Sequence, residues 1–244
     1  MIPSVEVRNA CLKRYDEALD LKNAKSLPKL DKWYRIELRD EVNKRAKSKS
    51  GPYITLDELV NLVGWKTTRG KFRPTLKGLA RRNTEEEVRQ ISKEGFEFLQ
   101  QSPENDITVA RSAIDIVSKL KGVGPATASA LLALFKPKTF PYMSDEALLY
   151  GTGLTDKPKY TPIEYQKMTV HIDDQIRNGK EQPCLEDAEQ FEKAVWAYGI
   201  LKLNDKLNED EKPTEAATTK RKSPEPKEET PTAPSTKTKR KRTR

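Results

Sequence analysis

Apolar residues in this 244-residue chain recur at helical spacing and almost nowhere alternate, which restricts the chain to helix-on-helix packing. Leu30, Tyr34, Leu38 and Val42 stand four apart after Pro28, so 28–47 reads as an amphipathic helix. Thr55 with Glu58, and Thr84 with Glu87, have capping-box spacing ahead of apolar runs. Thr161, Pro162 and Glu164 open a helix with Tyr165, Met168, Ile172 and Ile176 on one face, and a last helix after Pro183 carries Phe191, Val195, Tyr198 and Leu201. Loops are expected at 47–52, 66–74, 102–106, 136–144, 151–160 and 179–183, none long enough to divide the chain firmly. The one hint of a strand is the short PYITL from Pro52. The expectation is an all-α protein with a single domain over 1–208.

From Glu209 onward there is no aromatic and no branched aliphatic residue, so 209–244 cannot offset its chain entropy by burial and is expected to be disordered. Lys and Arg number 46 against 37 Asp and Glu, and the imbalance is uneven. Residues 1–83 carry ten more cations than anions, 84–208 five fewer, and the tail four more, which makes 1–83 a basic front lobe. A face of that kind suits a polyanion, because lysine and arginine displace counterions condensed on a phosphate backbone. The two cysteines, Cys11 and Cys184, lie far apart with no CxxC or Cys/His grouping, so no metal and no cofactor is expected. No apolar run is long enough to span a bilayer, and no signal-peptide core is present. The clusters KRK at 220–222 and KTKRKR at 237–242 have the layout of a two-part nuclear import signal. They predict a nuclear protein whose tail meets an import receptor, chromatin proteins or nucleic acid.

The stripe Ile107, Ala110, Ile114, Val117, Leu120 ends at Lys121; Gly122-Val123-Gly124 follows, and a second apolar helix opens at Pro125. Two glycines permit a tight reversal and close approach to another surface, while Val123 tucks back between the helices. The N–H groups that open the second helix have no intrahelical partner and form a site for a phosphate oxygen. This stretch, with Ala128 as the small residue that lets the helices close, resembles the helix-hairpin-helix motif. The resemblance implies a sequence-independent grip on one DNA strand through Gly122, Val123, Gly124 and Ala126.

It extends to FPYMSDEALL. Residues 106–150 resemble the helix-hairpin-helix (HhH-GPD) DNA glycosylases, whose aspartate follows the hairpin by about twenty residues and often follows a proline, as Asp145 follows Pro141. The resemblance implies that Asp145 stabilises charge developing on the deoxyribose and orients water. Bifunctional members carry a lysine two positions past the second glycine, where this chain has Ala126, so an enzyme of this kind would be monofunctional. Departures are also present. EALLYGTG follows the aspartate in place of the aromatic, His or Asn of many active members, and Ser144 or Asp145 has an alternative use as a helix cap.

The stretch WKTTRGKFRPTLKGLARRN, 65–83, contains seven cations and no acid. Lys66, Arg69, Lys71 and Arg73 are expected to contact phosphate; Trp65 and Phe72 offer stacking faces but are first expected in the core. Trp33, Tyr34, Trp196 and Tyr198 are likewise core residues first. Three functions stay open: a monofunctional glycosylase, a non-catalytic nuclear DNA- or chromatin-binding protein on the same fold, and an RNA or protein-interaction module.

Overall fold

The computed structural model describes residues 2–154, 157–178 and 187–212. Every regular element among them is helical. The N-terminal half holds α1 (Val5–Lys13), α2 (Tyr15–Leu21), α3 (Leu27–Lys32), a π-helical turn (Trp33–Leu38), α4 (Arg39–Ala46), α5 (Leu56–Arg69), α6 (Leu76–Ala80) and α7 (Glu85–Gln101). The C-terminal half holds α8 (Ala110–Val117), α9 (Pro125–Phe135), a π-helical turn (Ala147–Gly151), α10 (Pro162–Asn178) and α11 (Ala188–Leu203).

The helix expected over 28–47 is therefore one rod made of α3, the π turn and α4. Both capping boxes form: Thr55 and Glu58 close α5, and Thr84 and Glu87 close α7, each pair exchanging side-chain and backbone hydrogen bonds. PYITL is not a strand. It runs as extended coil into the Thr55 cap, and Ile54 N–H donates to Ser92 Oγ at 3.0 Å.

At the centre lies α9, whose sequence is small and apolar on all sides and whose residues 126–134 are all buried. Helices α4, α5, α7, α8 and α10 surround it. Its alanines leave room for close approach: Tyr34 Oη donates to the Ala130 carbonyl at 2.6 Å. On the other side α11 packs against α1, α2 and α10, bringing the two halves of the sequence together.

Three expectations need correction. Two helices, α1 and α2, precede the first one read from the sequence, because polar residues dilute their apolar stripes: acids in α2 and, in α1, an arginine that is itself part of the packing. Arg8 is buried and lies 4.7 Å over the Phe191 ring. The loop expected at 66–74 begins only at Gly70, since α5 continues through Arg69. The tail does not start at Glu209: Glu209–Glu211 forms a 3-10 turn against α1, and buried Glu211 accepts a hydrogen bond from Arg14 Nη1 at 2.5 Å. Residues 213–244, with the KRK and KTKRKR clusters, and the Pro183–Cys184 segment lie outside the described residues.

Candidate functional site

The turn between α8 and α9 is fixed from outside. Asn83, buried three residues past α6, accepts from Lys121 N–H at 2.8 Å and donates to the carbonyls of Lys121 and Ala80 at 2.9 and 2.8 Å. Gly122 has φ +78°, a conformation that side chains disfavour, and a Cβ there would stand 2.9 Å from the Ala80 nitrogen. Gly124 differs: its φ of −94° suits any residue, and an added Cβ would meet nothing within 4 Å. The fold therefore requires glycine at 122 but not at 124, where only a surface approaching from outside would.

The amides at this turn divide into two groups. Val123 N–H donates to the Leu120 carbonyl at 3.1 Å and its side chain is buried, so Val123 plugs the turn and is not the phosphate contact expected of it. The N–H groups of Gly122, Gly124 and Ala126 have no acceptor among the described residues.

Beyond α9 the chain crosses its end as a buried coil, 140–144. Met143 N–H donates to Ser129 Oγ at 2.9 Å, and the Pro141 carbonyl accepts from Tyr165 Oη at 3.0 Å. Ser144 Oγ accepts from Ala147 N–H at 3.1 Å and so provides the helix cap. That leaves the Asp145 carboxylate outside the cap, 31 % exposed, with Oδ1 accepting from Tyr160 Oη at 2.5 Å and Oδ2 paired to Lys71 Nζ at 2.9 Å. Tyr160 holds this position from a left-handed backbone, φ +55°, rare for a tyrosine. Burial and the bond to Asp145 push its phenol well above the ordinary range.

Asp145 lines a cavity of about 210 Å³. Its walls combine Gly124 and Ala126 of the turn with Lys66, Lys71 and Arg73 of the basic stretch, and with Tyr160 and Trp196. The turn, the aspartate and all four expected cations thus share one concavity, Arg69 from a side chain that is itself 0 % exposed. Lys66, half-buried on the last turn of α5, has its ammonium pulled down by burial and by neighbouring Arg73. Glu146, beside Asp145 and also on the wall, is pushed up by burial. The indole Nε1 of buried Trp196 has no acceptor among the described residues.

Arg69 is the clear correction among the expected phosphate contacts. Its side chain is 0 % exposed, forks onto Glu192 at 2.7 and 3.1 Å, and lies 4.3 Å over the Trp196 ring. The pair belongs to a buried network in which Arg35 joins Asp31, Glu189 and Glu192, and Trp65 Nε1 donates to Asp31 at 2.8 Å. Despite the cost of burial, Arg35 and Arg39 hold the Glu189 carboxyl down at about 2. A second correction concerns Phe72. Expected in the core with Trp65, it is instead 78 % exposed between Lys71 and Arg73, while Trp65 is fully buried.

No protein-family model, curated protein or solved structure matches this chain. The assignment of the site therefore rests on its own geometry.

Nothing in the sequence singles out Tyr160 or Glu146 for the site, and Trp196 reads there as core. Tyr160 has no local signal, because its partner Asp145 is set by the fold and not by spacing.

Separating the two glycines gives a direct check. Gly122→Ala is expected to cost roughly 2–3 kcal/mol from the left-handed backbone and the Ala80 clash, read by urea denaturation. Gly124→Ala is expected to stay within about 0.5 kcal/mol of the parent, as surface changes do, yet to weaken nucleic-acid binding. A Gly124→Ala variant that binds as well as the parent removes the turn from the interface.

Proposed function

We propose that this chain is a DNA-binding protein of the helix-hairpin-helix glycosylase type, which grips one strand through the 122–126 turn and accepts an extruded base in the Asp145 cavity. One observation carries this reading: the open amides of Gly124 and Ala126 and the carboxylate of Asp145 line the same concavity. Amides at the start of an eleven-residue helix favour a phosphate oxygen, and Lys71 and Arg73 extend the cationic surface beside them. Extruding a base would place the sugar's anomeric carbon near the mouth of the cavity, where a carboxylate stabilises developing positive charge. The resembling motif has no amine at Ala126, so water is the nucleophile for base removal. Exposed Phe72, next in sequence to the cavity-lining Lys71 and Arg73, offers a stacking face.

A second reading, DNA binding without base removal, is favoured by the state of Asp145: each of its oxygens is already engaged, one by Tyr160 and one by Lys71. Incubating the full chain with duplexes containing uracil, hypoxanthine, alkylated bases or mispaired adenine separates the two. Released base supports the first; tight binding with no release from any duplex supports the second. Structured RNA that displaces duplex DNA at equal concentration would instead move the function to RNA. Nuclear import through the two basic clusters of the tail belongs to the same proposal, with an import receptor or chromatin proteins as its partners.

The salt dependence of binding tests the grip itself. Lys71→Gln with Arg73→Gln is expected to reduce the slope of log K against log salt by about 0.9 for each phosphate no longer neutralised, close to 2 for the pair. An unchanged slope in titrations across salt rejects a role for this stretch in binding phosphate.

A further inference from the structure

Several polar groups on the cavity wall are left unengaged by the fold, and they share one chemistry. Tyr142 and Thr127, 5 % and 2 % exposed, both line the cavity, and neither side-chain hydroxyl has a hydrogen-bond partner among the described residues. Buried Trp196 lines it too, with its indole N–H equally unpartnered. These rings are held firmly: Tyr142 lies 5.0 Å from the Trp65 ring and 5.6 Å from the Arg69 guanidinium, which also covers Trp196. A buried hydroxyl or indole without a partner lowers stability, and a ligand that supplies the partner recovers the loss.

Donors outnumber acceptors on this wall. The Trp196 N–H, the amides of Gly124 and Ala126, Lys66 and Arg73 can only donate, and the two hydroxyls can do either. Both oxygens of Asp145 are engaged, by Tyr160 and Lys71, and burial pushes the Glu146 carboxyl toward its protonated, donating form. The charge balance has the same sense. Arg69 is balanced by Glu192 and Lys71 by Asp145, whereas Lys66 and Arg73 make no ion pair among the described residues and face only Glu146 and the more distant pull of Asp145 on Lys66. A ligand that suits such a wall brings acceptors and no positive charge.

We propose that the cavity selects a neutral base edged with carbonyl oxygens, the product of hydrolytic deamination, and rejects bases that carry a ring cation from alkylation or an exocyclic amine. The inference rests on the reading above for the entry of a base, and adds the class of base and the residues that set it: Tyr142, Thr127 and Trp196. Uracil and hypoxanthine present a carbonyl where cytosine and adenine present an amine. An amine brought to the Trp196 N–H sets two donors against each other in a dry site, and a ring cation meets Lys66 and Arg73 with little solvent to screen them.

Binding without reaction tests it. The full chain is titrated with duplexes that carry one 2′-fluorinated nucleotide, whose fluorine opposes positive charge on the sugar and so prevents loss of the base. The base, always opposite thymine, is hypoxanthine, uracil, guanine or cationic 7-methylguanine. Hypoxanthine and uracil are expected to bind about 10-fold tighter than guanine, the scale of one hydrogen bond, and 7-methylguanine no tighter than guanine. Tyr142→Phe with Thr127→Val removes both hydroxyls and keeps the shape. That double variant is expected to melt as the parent does, to bind the guanine duplex with parental affinity, and to lose most of the preference. If 7-methylguanine binds tightest, the class of base is overturned; a preference that persists in the double variant overturns its assignment to these hydroxyls. Either result leaves the proposed function standing. Equal affinity for all four bases overturns the inference and, with no base released from the unfluorinated duplexes, leaves only the grip. A chain that binds none of the duplexes overturns this inference and the proposed function together.

Discussion

Asp145→Asn is expected to lower base release by roughly 10²–10³-fold, the scale on which one preorganised charge or donor acts at a reacting centre. The change removes a charge and keeps the shape. Tyr160 can still donate to the side-chain oxygen of the asparagine, so the left-handed 160 position keeps its partner, while Lys71 loses its counterion and turns outward. Duplex affinity is therefore expected to hold or rise slightly, and thermal stability to change little, because an ion pair with Lys71 64 % exposed contributes at most about 1 kcal/mol. Single-turnover release with the chain in excess, read alongside a binding isotherm, separates chemistry from grip. If Asp145→Asn releases base at the parental rate, the aspartate is only the anchor of Tyr160 and Lys71, and another group does the chemistry.

The largest effect on stability is expected from Arg69→Met. Glu192 would keep Arg35 but lose its forked partner in a site where its side chain is 1 % exposed, and breaking a buried pair from one side costs about 3–5 kcal/mol. For a domain of this size that is a fall of about 10 °C in Tm. Arg69→Lys keeps the charge but not the fork and is expected to fall between the two. Adding Glu192→Gln to Arg69→Met is expected to recover part of the loss, because no carboxylate is then left half-paired. The salt slope of DNA binding is expected to be unchanged in whatever fraction remains folded. A stable Arg69→Met variant with a reduced slope would return Arg69 to the interface and contradict its burial.

Arg69 also marks where sequence reasoning runs out. Within 65–83 it is one of seven cations with no nearby acid, and its partner Glu192 lies on α11, 123 residues away. Nothing local distinguishes it from Lys71 or Arg73, since only the packing of α5 against the C-terminal half decides which cation turns inward. Phe72 fails for the converse reason. An aromatic residue is by default apolar filling, but the chain leaves the helix at Gly70, so Phe72 follows no helical stripe and points to solvent.

Where the controlling physics is local, the sequence is readable. Thr55 with Glu58 and Thr84 with Glu87 satisfy their own helix ends whatever the rest of the chain does. The all-round apolar 126–134 run could only be a central helix. Gly122, Val123 and Gly124 are recognisable as a turn with Val123 tucked inward, though not that the two glycines divide the work, one for the bend and one for access. That Asp145 shares a cavity with this turn follows from Ser129 and Tyr165 holding the coil between them, which no spacing rule encodes.

The network around Arg69 has a consequence at long range. Arg35, Arg39 and Arg69 face Asp31, Glu189 and Glu192, so their charges cancel within a few ångströms and contribute almost nothing to the potential outside the molecule. The attraction an approaching polyanion feels is set by lysines and arginines at the rim, and that field weakens over about 10 Å at 0.1 M salt. If the chain binds a polyanion as proposed, capture from solution falls to the rim lysines and arginines and cohesion of the interior to the buried arginines, so ionic strength would tune the first while leaving the second almost untouched.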